Sequence, residues 1–154
     1  MPDSNIPGAP PGPAGTAGVP GTEILYRRLL PGAWYRAQSA LIPQKYFMPR
    51  PWQSDERPGD TDGISINRAS LTDAVTASRR PDNGEYVPLA EFAASNVYRI
   101  GLHVRGAPIP QDPSHALIPE LNSLDRRDTE KERKMEEWAL ALRNCSQLIK
   151  PRGT

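Results

Sequence analysis

Asn96-Val-Tyr-Arg-Ile-Gly-Leu-His-Val-Arg-Gly106 is the stretch on which a reading of the fold turns. Tyr98, Ile100, Leu102 and Val104 alternate with Arg99, Gly101, His103 and Arg105. A period of two marks a strand with one buried face, so the run predicts a strand here. Just before it, Pro88 suits the first position of a short helix over residues 89–95, with Leu89, Phe92 and Ala93 on its apolar side. Just after it, Pro108, Pro110 and Pro113 force an extended crossing. Residues 114–118 then read as an apolar plug or one helical turn.

Upstream, Glu23-Ile-Leu-Tyr-Arg-Arg-Leu-Leu30 opens the structured part as a strand that Pro31-Gly32 ends. One regular piece is expected near residues 34–41, followed by a loop broken by Pro43, Pro49, Pro51 and Pro58. Asp60-Thr-Asp-Gly63 is a turn into a short strand with Ile64 and Ile66 on one face. Ser70 reads as a helix N-cap, with Asp73 three residues on and Arg79-Arg80 at the far end. Pro81-Asp-Asn-Gly84 stops that helix.

Downstream, residues 122–128 are a polar linker, and Thr129-Glu-Lys-Glu132 reads as a capping box. Met135, Trp138, Leu142, Cys145 and Ile149 then recur at spacings of three and four, one apolar stripe along a helix closed by Pro151 and Gly153. Glu130 and Lys134 form a favourable pair one turn apart.

These elements predict an α+β fold: a small mixed sheet, two or three short helices, long Pro-rich loops and an amphipathic C-terminal helix. Residues 1–22 are a Pro/Gly/Ala tract with too little apolar mass to offset ordering, so a disordered tail is expected. Residues 23–121 form the compact α+β domain, and 122–154 the linker and terminal helix. Eighteen prolines and twelve glycines confine regular structure to these segments.

Nineteen basic against eighteen acidic residues point to no partner by net charge. The lone Cys145 excludes an internal disulfide. No apolar run is long enough for a membrane helix and no signal peptide opens the chain, so a cytoplasmic location is expected, with no membrane partner. The chain lacks GxGxxG, P-loop, CxxC and HExxH patterns, and one Cys with two His makes a poor zinc set. No cofactor and no metal are expected.

Residues 26–57 interleave rings with cations. Tyr26, Trp34, Tyr35, Tyr46, Phe47 and Trp52 stand among Arg27, Arg28, Arg36, Lys45, Arg50 and Arg57, against only Asp55 and Glu56. Such a mixture suits phosphates and stacked bases, so Tyr26, Arg28, Trp34, Tyr46, Arg50 and Trp52 are candidate nucleotide- or nucleic-acid-binding residues. The plainer reading is a small core with snorkelling arginines.

His115, after Asp112-Pro-Ser, is a candidate general base oriented by Asp112 or Glu120, with Arg27, Arg68 and Asp62 as further catalytic candidates. Its plainer role is to cap a backbone group. His103, between Arg99 and Arg105, reads as a hydrogen-bonded surface residue or part of an anion site. Met135, Trp138, Leu142 and Ile149 fill the chain's own core, or meet a protein partner or second copy through the terminal helix.

The segments 62–68 and 112–118 resemble motifs of small bacterial proteins, which implies no activity. The leading expectation is a small non-catalytic interaction or accessory module of a multi-protein bacterial system. The alternative is an enzyme acting on a nucleotide or nucleic acid through the aromatic-basic segment and His115.

Overall fold

In the computed structural model, which describes residues 18–30 and 42–151, the chain is built on one strand. This is β1, Ile24–Arg28. It pairs on one side with β2, Ile64–Arg68, and on the other with β3, Leu89–Ala93. Beyond β2 lie β5, His115–Ile118, and the two-residue β4, Arg105–Gly106. Beyond β3 lies β6, Gln147–Ile149. The order is β4-β5-β2-β1-β3-β6, and every pairing is antiparallel. With three helices the fold is α+β. The expected regular piece near 34–41 lies outside the described residues.

The segment 89–106 carries the expected elements in reverse order. Residues 89–93 are a strand, with Leu89, Ala90 and Phe92 buried between β1 and β6. The helix follows as α2, Ala94–Ile100, where the strand was expected. Ala94 and Val97, three apart, are its buried face, whereas Tyr98 and Ile100 are only half-buried. Gly101 takes φ +106° and its N–H bonds Val97 and Tyr98 carbonyls, a left-handed helix stop. The period of two is thus an overlap. A helix supplies its first half, and Leu102 and Val104, both buried in the segment between α2 and β4, supply the rest.

Other boundaries shift for local hydrogen-bonding reasons. Ser70 caps no helix, because its N–H and hydroxyl both donate to Glu23. Asp73 caps α1, Ala74–Ser78, accepting from Thr76 N–H. Residues 114–118 are neither plug nor helical turn, since β5 pairs with β2 along its whole length. Gly63 admits this pairing: at φ +122°, a Cβ would sit 2.5 Å from the Ile118 carbonyl oxygen. The linker 122–128 is tied down, with Ser123 fully buried and its hydroxyl 2.6 Å from the Pro58 carbonyl.

The last helix, α3, runs Thr129–Asn144 and is capped by Asp128, which accepts from Glu130 and Lys131 N–H groups. The capping-box glutamate Glu132 pairs instead with Arg126, and Lys134 meets Glu137 rather than Glu130. The helix ends five residues before the stripe does. Ser146 Oγ and Cys145 Sγ take up the Leu142 carbonyl, and Ile149 belongs to β6, paired with Leu89. Met135, Ala139 and Leu142 enter the same core as Leu25, Ile64 and Phe92, and Trp138 packs partly against it. The rings of Phe47 and Phe92 meet edge to face, 5.9 Å apart.

Of the expected tail, residues 1–17 lie outside the described residues. Residues 18–22 do not belong to a loose tail. Val19 is fully buried, and its carbonyl accepts from the Tyr98 hydroxyl. The carbonyls of Gly21 and Glu23 accept from Ser95 and Ala94, so they satisfy the first amides of α2. Among the described residues, no helix is long and apolar enough to cross a membrane.

A chain beginning at Glu23 loses the burial of Val19, worth about 1.5–3 kcal/mol, and a hydrogen bond worth about 1 kcal/mol. Its melting temperature should fall by about 5–15 °C, at about 2–4 °C per kcal/mol. An unchanged melt would show that residues 18–22 do not pack. Leu142→Ala, in the core, should cost about 2–5 kcal/mol in chemical denaturation. Leu140→Ala, on the exposed side of the same helix, should stay within about 0.5 kcal/mol. Equal losses would contradict the docking of α3 on its own sheet.

Candidate functional site

A cleft with a volume of about 970 Å³ opens where β1 ends and β2 begins. β1 contributes Arg27 and Arg28, and β2 contributes Ser65 and Asn67. One wall is the 3-10 turn Gln44–Phe47 with the chain to Pro51; another is Arg80, Pro81 and Asp82. Arg126 and Glu136 close a third side. Six cations (Arg27, Arg28, Lys45, Arg50, Arg80 and Arg126) face three carboxylates, those of Asp60, Asp82 and Glu136.

Pairing divides the cations into two kinds. Arg50 grips Asp60 through two nitrogens, at 3.0 and 2.8 Å, and that contact holds its pKa above the ordinary value. Arg80 is paired with Asp82 at 2.6 Å, and Arg126 with Glu132 at 2.9 Å. Arg27 and Arg28 have no carboxylate within ion-pair distance among the described residues. Arg27 donates to two carbonyls, Nε to Tyr46 at 3.1 Å and Nη1 to Ser65 at 2.8 Å. Arg28 donates to the Ala77 carbonyl at 3.1 Å.

Burial is the main cause that lowers both guanidinium pKa values, to about 10 for Arg27. Asp60 opposes it at Arg27, and Asp112 and Asp82 at Arg28. Both groups stay charged at neutral pH. Each is a partly desolvated cation whose partners are dipoles, and a bound anion would relieve that cost.

The row behind the cleft is set by register. Tyr26 faces Asn67, and Asn67 faces His115. Asn67 Nδ2 donates to Asp112 and Ser114, both at 2.8 Å, and Ser114 Oγ donates to Asp112 at 2.6 Å. His115 Nε2 lies 3.1 Å from Ser65 Oγ, and its Nδ1 lies 2.8 Å from the Ala107 carbonyl. Neither expected orienter touches the ring: Asp112 holds Asn67 and Ser114, while Glu120 holds the backbone and ring of His103.

Of the expected site residues, Arg27, Arg28, Tyr46 and Arg50 line the cleft, and His115 stands one hydrogen bond behind it through Ser65. Tyr26 and Trp52 do not line it. The Trp52 ring lies under the Arg127 guanidinium, 4.2 Å from its centroid. Trp34 lies outside the described residues. Arg68 is committed to Glu23 in a nearly buried ion pair at 3.1 Å, and Asp62 sits exposed in the turn before β2.

Around His103, Arg99 lies on α2 and donates to Asn96, and Glu120 holds the His103 backbone and ring. Met135 and Leu142 are consumed by the core, Ile149 lies on β6 and Trp138 is half-buried. Ser65 and Asn67 went unnoticed in the sequence. Yet once Ile64 and Ile66 are assigned to the core face, alternation puts both on the other side.

Among the described residues no three His, Cys, Asp or Glu side chains converge to hold a metal ion. Comparisons with protein-family models, with curated proteins and with solved structures find no match to this chain.

Proposed function

We propose that the chain is a binding module whose cleft receives a compact phosphate-type anion, free or as the phosphate of a nucleotide. The observation that supports this is Arg27 and Arg28, neighbours on β1 that alternate to opposite faces of the sheet, both lining the cleft at the strand end and both with only carbonyl partners among the described residues. Arginine's planar fork matches phosphate oxygens, and such charge-assisted contacts are the stronger class of hydrogen bond. The walls neutralise themselves through Arg50–Asp60 and Arg80–Asp82. Excess positive charge is thereby concentrated on the floor.

The geometry favours a small ligand over an extended single strand. Stacking on bases needs exposed rings along a groove. Here Tyr46 is buried and Trp52 is covered by Arg127. An accessory role within a larger assembly is compatible with ligand binding. The buried stripe of α3 offers a partner little beyond the exposed Leu140.

Titration calorimetry with inorganic phosphate and pyrophosphate at low salt checks this reading. Saturable binding is expected, weakening as salt rises. Arg28→Gln should lose about 10- to 100-fold in affinity, the worth of one charge-assisted hydrogen bond. Arg57→Gln, exposed and outside the cleft, should bind as the parent does. Absence of saturable binding, or equal losses in the two variants, would remove the proposal.

A further inference from the structure

Ser65 in the cleft lining and His115 behind it are a pair of groups that anion binding does not use. Ser65 stands in β2 between Ile64 and Ile66, both buried, so its side chain turns to the opposite face. Ser65 is registered with Leu117 and Asn67 with His115, which makes Ser65 and His115 diagonal neighbours on one face. Their Oγ and Nε2 atoms are 3.1 Å apart. The other ring nitrogen, Nδ1, lies 2.8 Å from the Ala107 carbonyl oxygen. A carbonyl oxygen can only accept, so Nδ1 carries the hydrogen. In the neutral ring Nε2 is then a lone pair, and the Ser65 hydroxyl donates to it.

We infer that Ser65 and His115 are a nucleophile and its general base, acting on a carboxylic ester that carries an anionic group. The class of substrate rests on the anion reading of the cleft; the pair itself does not. Nucleophile, base and a third group orienting the base are the arrangement that serine chemistry requires. The Ala107 carbonyl is the orienter. It fixes ring and tautomer but brings no full negative charge, so it supports an imidazolium less than a carboxylate does.

Ser65 lines the cleft, so an ester docked on Arg28, which shares its face, can reach its Oγ. Arg27 Nη1 holds the Ser65 carbonyl and fixes the strand at that residue. Arg28 lies two positions along β1 from Tyr26, on the same face as Ser65. It is the cation on that face of the cleft to which the substrate's anionic group would dock.

The chemistry balances without another reagent. Ser65 Oγ bonds to the ester carbonyl carbon as its proton passes to His115 Nε2. The bond from that carbon to the alcohol oxygen breaks, and the alcohol leaves with the proton. Water then gives a proton to His115 Nε2, attacks the acyl carbon and frees Ser65, which recovers its proton. One ester and one water yield one acid and one alcohol.

The test is labelling of the full chain with an alkyl fluorophosphonate, mapped by mass spectrometry. One adduct is expected, on Ser65, absent in Ser65→Ala and formed on the order of a hundredfold more slowly in His115→Gln. Glutamine can still donate to the Ala107 carbonyl, so a purely structural histidine would leave the rate unchanged. If Ser65→Ala fails to fold, Ser65→Cys serves in its place. Its thiol should react with iodoacetamide faster when His115 is present than in the double variant with His115→Gln, and Cys145, whose thiol burial makes less acidic, is the internal reference. No adduct on Ser65 of the folded protein, or equal rates with and without His115, would overturn the inference. Labelling of a protein that binds no phosphate upholds the pair and removes the anion reading; phosphate binding without labelling does the reverse.

Discussion

The Arg27 guanidinium is the constraint around which the cleft is built. It rides on β1, a strand in the middle of the sheet, and donates to the carbonyls of Tyr46 and Ser65. Those two bonds fasten the 3-10 turn, β1 and β2 to one another. They do not neutralise the charge. A guanidinium drawn partly out of water, with dipoles for partners, is held at a cost that the surrounding core must cover. Arg28, next in sequence and also without a carboxylate among the described residues, adds a second such charge on the other face of the strand end that the cleft reaches.

The remaining structure keeps that charge from being cancelled. Asp60 has a side chain only 9% exposed and lies near the floor, but Arg50 occupies both its oxygens. Gly59, at φ +74°, brings the turn so close that a Cβ would lie 2.2 Å from the Arg50 carbonyl. The wall therefore folds back on itself. Arg126 reaches the Pro49 carbonyl and Ser123 the Pro58 carbonyl, so the segment before α3 closes the same wall from outside. A segment that reads as a linker is thus part of the cleft's frame.

What the sequence disclosed depended on how local the deciding interaction was. β1, β2 and the Asp60–Gly63 turn were legible because alternation and turn chemistry act over a few residues. The reversal within 89–106 was not. Leu89-Ala-Glu-Phe-Ala93 becomes a strand because β1 and β6 flank it, and β6 lies more than fifty residues away. The same holds for β5, whose partner β2 is about fifty residues upstream. Gly101 offered a local signal, since a glycine inside an apolar run stops a helix as readily as it interrupts a strand. In the site, Arg27, Arg28, Tyr46 and Arg50 were visible as composition. Ser65 needed the facing assignment of β2, and its contact with His115 needed the register between two distant strands.

On this proposal Arg27 and Arg28 both present uncompensated charge to an anion in the cleft. Guanidinium 15N–1H NMR spectra during a phosphate titration address it most directly. The Arg27 and Arg28 Nε–H resonances should shift saturably with one common dissociation constant. The Arg68 resonance, already committed to Glu23, should stay in place. Shifts spread evenly over all arginines, or confined to exposed ones such as Arg57, would contradict it.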